Sequence, residues 1–243
     1  MKCKIKEIVD CINDIIDKNG VEEGAWLRLT TAGLEDLNFI ADINPLVLSV
    51  NRLDVHLNAL KDISYLEHFK GLTHIKANIN NIEDISVLST LKNLEEVKMY
   101  TNKIQDLTPL TSLFKLKVLW LHNNRICDIS PLSSLISLEK LRLAHNKIRD
   151  ISTLSKLKKL TWLSLSYNKI NNIESLVHMK HLTNLYLDNN RICNIPLKRP
   201  IQNLNIDNNM INTCLLKNTC FHRHVHSVQR ITLQASIILE QFI

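Results

Sequence analysis

The chain has 243 residues, 45% of them hydrophobic, enough to bury a sizeable core. Lysine and arginine outnumber aspartate and glutamate by 30 to 24, a formal net charge of +6 that invites the idea of a nucleic-acid partner without establishing it. Four glycines and five prolines leave little for hairpins or phosphate-cradling loops, and no apolar run approaches the roughly 20 residues a membrane span needs.

The amino terminus reads MKCKIKEIVDCINDIIDKNG. It starts basic but has no uninterrupted apolar core and no small-residue cleavage site, so a secretory signal is not expected. Within residues 3–18, Ile5, Ile8, Val9, Ile12, Ile15 and Ile16 fall on one helical face, with Glu7, Asp10, Asp14 and Asp17 largely opposite. Gly20 makes a natural stop. Residues 1–25 are therefore expected to form an N-terminal cap helix.

A repeat then governs most of the chain. In LTSLFKLKVLWLHNNRICDISP, residues 110–131, leucine occupies the first, fourth, seventh, tenth and twelfth places. Asparagine is fifteenth, isoleucine seventeenth, aspartate nineteenth and isoleucine twentieth. The same grid fits 44–65, 66–87, 88–109, 132–153 and 154–175, then a shorter 176–196 and a truncated 197–212. The fifteenth place is Asn58, Asn80, Asn102, Asn124, Asn146, Asn168, Asn190 and Asn209. WLRLTTAGLEDL, residues 26–37, keeps the strand leucines but has Ala32 where asparagine belongs, so 26–43 is read as a degenerate first repeat. Near the carboxyl end Ile231, Ala235, Ile238 and Phe242 share a helical stripe, and 213–243 is expected to be a second cap.

Two spacings explain the grid. Leucines at places ten and twelve alternate, so a short strand turns both inward. Those at one, four and seven recur every three residues, the period of a helical or 3₁₀ return path. One repeat cannot close its own core, so neighbours stack and their strands pair in parallel. The asparagine stands where the chain leaves the strand. A buried backbone corner needs partners, and an amide supplies both a donor and an acceptor.

The consensus LxxLxxLxxLxLxxNxIxDISP resembles the 22-residue class of leucine-rich repeats, which includes the leucine-rich regulator of protein phosphatase 1 and the internalins. The resemblance covers 44 to about 212. It implies an α/β repeat fold: a right-handed solenoid with a concave parallel sheet, a short helical or 3₁₀ convex side and helical caps. The phosphatase regulator has a strongly acidic binding face; this chain's is mixed, so phosphatase binding is not carried over.

Chemistry is sparse. No nucleophile–base group, paired carboxylates or phosphate loop appears, so neither an enzyme nor a cofactor is expected. Asp62, Asp84, Asp106, Asp128 and Asp150 at place nineteen belong to a turn where a carboxylate accepts backbone hydrogen bonds. In CFHRHVH, Cys220, His222, His224 and His226 alternate and would share a strand face. A metal site there is weighed against a polar connection into the cap, and the connection is preferred because zinc ligand pairs have other spacings. Cys127 and Cys193 fill equal places three repeats apart, roughly 14 Å at one strand spacing per repeat, too far to bridge. Cys214 and Cys220 could pair, but a reducing, cytoplasmic compartment is the simpler reading.

Places nine, eleven, thirteen and fourteen alternate with the buried leucines and face a partner. They collect Trp120, Trp162, Tyr100, Tyr167 and Tyr186 beside Lys76, Lys98, Arg142 and His122. Exposed aromatics with arginine are the composition of binding hot spots. The partner-binding set is taken as Lys76, Lys98, Tyr100, Trp120, His122, Arg142, Trp162 and Tyr186, on a monomer that meets another protein. On this face Arg52, Lys76, Lys98, Lys140 and Arg142 meet Asp54, Glu96, Asp188 and Asp207, which is not the continuous basic stripe that phosphate binding needs. Lys103, Arg125, Lys147, Lys169 and Arg191 at place sixteen form a basic ridge at the strand ends. An anionic surface or nucleic acid on that ridge is the alternative function, and a metal at the Cys220 cluster a further one.

Overall fold

The computed structural model describes residues 2–19, 25–43, 45–197 and 200–211. Helix α1 (Lys2–Asn19) precedes nine strands of three residues each. They are β1 (Trp26–Arg28), β2 (Arg52–Asp54), β3 (His74–Lys76), β4 (Glu96–Lys98), β5 (Val118–Trp120), β6 (Lys140–Arg142), β7 (Trp162–Ser164), β8 (Asn184–Tyr186) and β9 (Asn203–Asn205). All lie in one parallel sheet in chain order. Equal places of the repeat face each other, as in Trp120 opposite Arg142 and Arg142 opposite Ser164. The chain returns on the other side of the core through short 3₁₀ segments such as Ser86–Thr90 and Ser152–Lys156.

The stacked leucines account for this shape. Leu110, Leu113, Leu116, Leu119 and Leu121, at places one to twelve, are all fully buried, and the equivalent residues of neighbouring repeats merge into one column. At place nineteen Asp62, Asp84, Asp106, Asp128 and Asp150 each accept the backbone N–H two residues on, at 2.7–2.8 Å. The acid row is thus a set of turn partners.

The asparagines hold the opposite corner. Asn146 accepts the Ile126 N–H of the preceding repeat at 2.9 Å and donates to Leu121 O and Leu143 O at 3.0 and 3.1 Å. Asn124 and Asn168 repeat the pattern one turn back and one turn on. Each place-twelve carbonyl from Val55 to Leu187 therefore receives two amides, one from its own repeat and one from the next. Where Ala32 replaces the asparagine, Asn58 serves the corner alone: its Oδ1 accepts from Ala32 and Leu34 and its Nδ2 donates to Leu29 O at 2.7 Å.

One place before each asparagine, and before Ala32 in the first repeat, the backbone is left-handed. Thr31, Leu57, Ile79, Thr101, Asn123, His145, Tyr167, Asn189 and Asn208 all have φ between 54° and 57°. This ends the strand and turns the next residue inward, in a region that side chains other than asparagine usually avoid.

Helix α1 lies against the open end of the column. Val9 and Ile16 join the core and Ile5, Ile8 and Ile12 pack partly against it. No helix among the described residues is long and apolar enough to cross a membrane. Residues 213–243, and with them Cys214, Cys220, His222, His224 and His226, lie outside the described residues. Cys11 and Cys127 carry free, exposed thiols, whereas Cys193 is disulfide-bonded. The disulfide at Cys193 weakens cysteine usage as an argument for a reducing compartment, while the two free thiols remain in its favour.

Candidate partner-binding face

Places nine and eleven alternate with buried place ten, so each strand sends two side chains out of the sheet. Because the register keeps equal places opposite, these side chains form rows across the strands. On β5 and β6 the row at place eleven brings Trp120 against Arg142. Trp162 stands at place nine of β7, opposite Lys140, and reaches Arg142 on the diagonal. The Arg142 Cζ is 4.2 Å from the Trp120 ring centroid and 3.9 Å from that of Trp162, so the guanidinium lies between two indoles. Such cation–π contacts contribute about 0.5–2 kcal/mol each, more when water is excluded.

The stack continues on both sides. Lys98 Nζ sits 4.2 Å from the other flank of Trp120 and 2.6 Å from Glu96 Oε1. Tyr186 meets Trp162 edge-on, with centroids 5.7 Å apart. Alongside, Tyr100 stacks flat on His122 at 4.2 Å and His145 on Tyr167 at 4.1 Å. Lys98, Trp120, Arg142, Trp162 and Tyr186 thus form one run, with Tyr100 and His122 next to it. Lys76 belongs to a separate group at the amino-terminal strands, 4.2 Å from the ring of Trp26. There His74 meets the same indole edge-on and Arg52 lies 6.0 Å away.

Three residues depart from the pattern-based expectation. Trp120 and Trp162 are half-buried rather than freely exposed, because the cations beside them cover their faces. Asp54, expected as a displayed anion, is only 6% exposed and takes the His56 Nδ1 at 2.6 Å. Trp26 is a further aromatic on the face. It stands at place nine of the first repeat, and its place on the grid marks it, although that repeat lacks the asparagine.

The run is short of polar partners. Trp120 Nε1, His122 Nδ1 and Arg142 Nε are buried atoms with no hydrogen-bond partner among the described residues. Burial pushes the His122 pKa down to about 4, with the charges of Arg142 and His145 adding to it. Burial also lowers the Arg142 pKa, while Tyr186 and Tyr100 act the other way. His74 is lowered first by burial, against the opposing pull of Glu96.

Elsewhere, the place-sixteen ridge is mixed. Arg125, Lys147 and Arg191 are exposed and Lys103 and Lys169 half-buried. Arg125 lies 3.6 Å from Glu83. No group of three potential metal ligands is present among the described residues.

Comparison with known proteins agrees with the geometry. A family model described as leucine rich repeat matches residues 114–170 and 136–192. No curated protein matches the chain. Among solved structures, the internalin InlF of Listeria monocytogenes is similar at 34% identity and a TM-score of 0.62, over 66% of this chain and 46% of that one. This chain therefore spans less than half of that protein's length. Internalin C2 of the same species is similar at 24% identity and a TM-score of 0.58, over 76% of this chain and 92% of that one. The Arabidopsis receptor kinase HAESA, solved with the peptide hormone IDA and the co-receptor SERK1, shares the fold at 23% identity and a TM-score of 0.55, over 64% of this chain and 28% of that one. The sheet, its corner asparagines and the matched repeats agree on one conclusion: this chain is a leucine-rich-repeat protein.

Proposed function

We propose that the chain is a non-enzymatic interaction scaffold that binds a protein on the outer, concave face of its sheet, through Lys98, Tyr100, Trp120, His122, Arg142, Trp162 and Tyr186, with Lys76 at the edge of the footprint. The observation that carries this reading is the Arg142 guanidinium held between Trp120 and Trp162. Tryptophan, tyrosine and arginine dominate interface hot spots. Here they are fixed before a partner arrives, which lowers the entropy lost on binding. The HAESA neighbour, solved with a peptide hormone, supports use of this fold for peptide or protein recognition.

The reading takes the chain to act as a monomer, which light scattering on the purified protein tests. Cytosolic placement keeps the exposed free thiols of Cys11 and Cys127 as its support, and fractionation of producing cells tests it. The deciding experiment for function is affinity capture on wild type and on the Trp120→Ala/Trp162→Ala variant, matched for melting temperature. A protein held by the first and lost by the second is the expected result. Equal capture by both sinks the proposal.

A further inference from the structure

Among the described residues, Arg142 is the cation of the face that lies against two indoles. Lys98 has Glu96 at 2.6 Å. The carboxylate of Asp188 is taken by Ser166 Oγ and Asn189 Nδ2, and that of Asp54 by His56. Arg142, half-buried, has no ion pair among the described residues, and its Nε has no hydrogen-bond partner among them. A guanidinium stays protonated and carries five donors in one plane. The Arg142 Cζ has an indole on either side, Trp120 at 4.2 Å and Trp162 at 3.9 Å. A polar partner therefore approaches between the two rings.

We propose that Arg142 receives the side-chain carboxylate of an aspartate or glutamate within the bound partner segment; this rests on the sheet-face reading above and names the chemistry of its partner. A carboxylate matches the guanidinium edge with two parallel hydrogen bonds, and dry walls strengthen both. The walls also specify the neighbours of the acid: Trp120, Trp162 and Tyr186 offer apolar surface on either side of it. An internal acid fits better than a chain terminus. Aromatic contacts continue from Arg142 towards β4, through Trp120 and Lys98, and towards β8, through Trp162 and Tyr186. A segment crossing the strands therefore runs past Arg142 in both directions. Phosphate is disfavoured because the adjacent cation, Lys98, is already neutralised by Glu96.

The test uses a displayed library of random peptides, each fused at both ends, selected on the intact protein. The best sequence is then made as an acetylated, amidated peptide, alongside a version with its acid changed to the amide. The expected result is a shared acidic residue among the selected peptides. On wild type the acid-to-amide change weakens binding by at least about tenfold, whereas on Arg142→Gln the same change has under about a twofold effect. Arg142→Lys, which keeps charge but not the planar fork, should fall between, and guards against misfolding of the glutamine variant. Peptides with no shared acid that still lose binding on Trp162→Ala overturn the carboxylate proposal and leave the sheet-face reading standing. An acid-to-amide loss that persists on Arg142→Gln also overturns it, as does displacement of the peptide by an oligothymidine in an Arg142-dependent way. Failure to select any peptide sensitive to Trp162→Ala overturns both readings.

Discussion

Removing one corner asparagine should be far milder than removing two in a row. In Asn146→Ala the Ile126 N–H loses its partner, but Leu121 O keeps Asn124 and Leu143 O keeps Asn168. One buried donor is orphaned, which costs about 1–3 kcal/mol. Asn168→Ala likewise orphans the Ile148 N–H alone. Together the two substitutions strip Leu143 O of both amides, so three groups are orphaned rather than two. The double variant should exceed the sum of the singles by roughly 1–3 kcal/mol. Asn102 and Asn146 share no carbonyl, and that pair should add to within about 0.5 kcal/mol. Urea denaturation of the three single and two double variants reads both quantities. Equal coupling in the adjacent and spaced pairs would refute the shared-carbonyl account.

Ile79 is a β-branched residue at φ 57° and 38% exposed, so Ile79→Asn should stabilise the fold by about 1 kcal/mol, read as a higher urea midpoint. The His122 imidazole is held neutral, its pKa lowered from 6.5 to about 4. The stability it contributes is whole above pH 6.5 and drains as pH falls towards 4, because the unfolded chain takes up the proton first. Denaturation at several pH values should show that loss in wild type and a flatter profile in His122→Gln. Lys117 holds the Glu95 carboxyl below its usual pKa, chiefly through a hydrogen bond of 2.8 Å. In Lys117→Met the Glu95 titration, followed by NMR, should move back up.

Much of this was legible because the fold is nearly one-dimensional: once a spacing repeats, place in the grid fixes burial and strand position together. Leu119, Asn124 and Asp128 could be assigned from spacing alone. The left-handed turns could not, since Leu57, Ile79 and Thr101 are residue types that avoid positive φ and the backbone there is imposed by the stack. Nor could the diagonal contact of Trp162 with Arg142, which joins place nine of one strand to place eleven of the one before and depends on side-chain rotamers. Spacing does not reveal the burial of Asp54 either, because its place faces outward while its carboxylate folds onto His56. Trp26 lies in a repeat that lacks the asparagine, so only its strand position, not the full motif, marks it as a face residue.

The corner bonds point one way along the chain: every asparagine reaches back to the repeat before it, and none reaches forward. Ala32 shows what this permits, for Asn58 alone closes the corner that Ala32 leaves open. Mutational drift is therefore tolerated unevenly. The amino-terminal unit can lose its polar signature without orphaning its backbone, and Ala32→Asn should restore almost no stability. A unit in the middle has no such freedom, because the one before it depends on its amide. In such a lineage, duplication and loss of whole units would keep every bond in place, whereas erosion of the motif would be expected to begin at one end and stop after a single repeat.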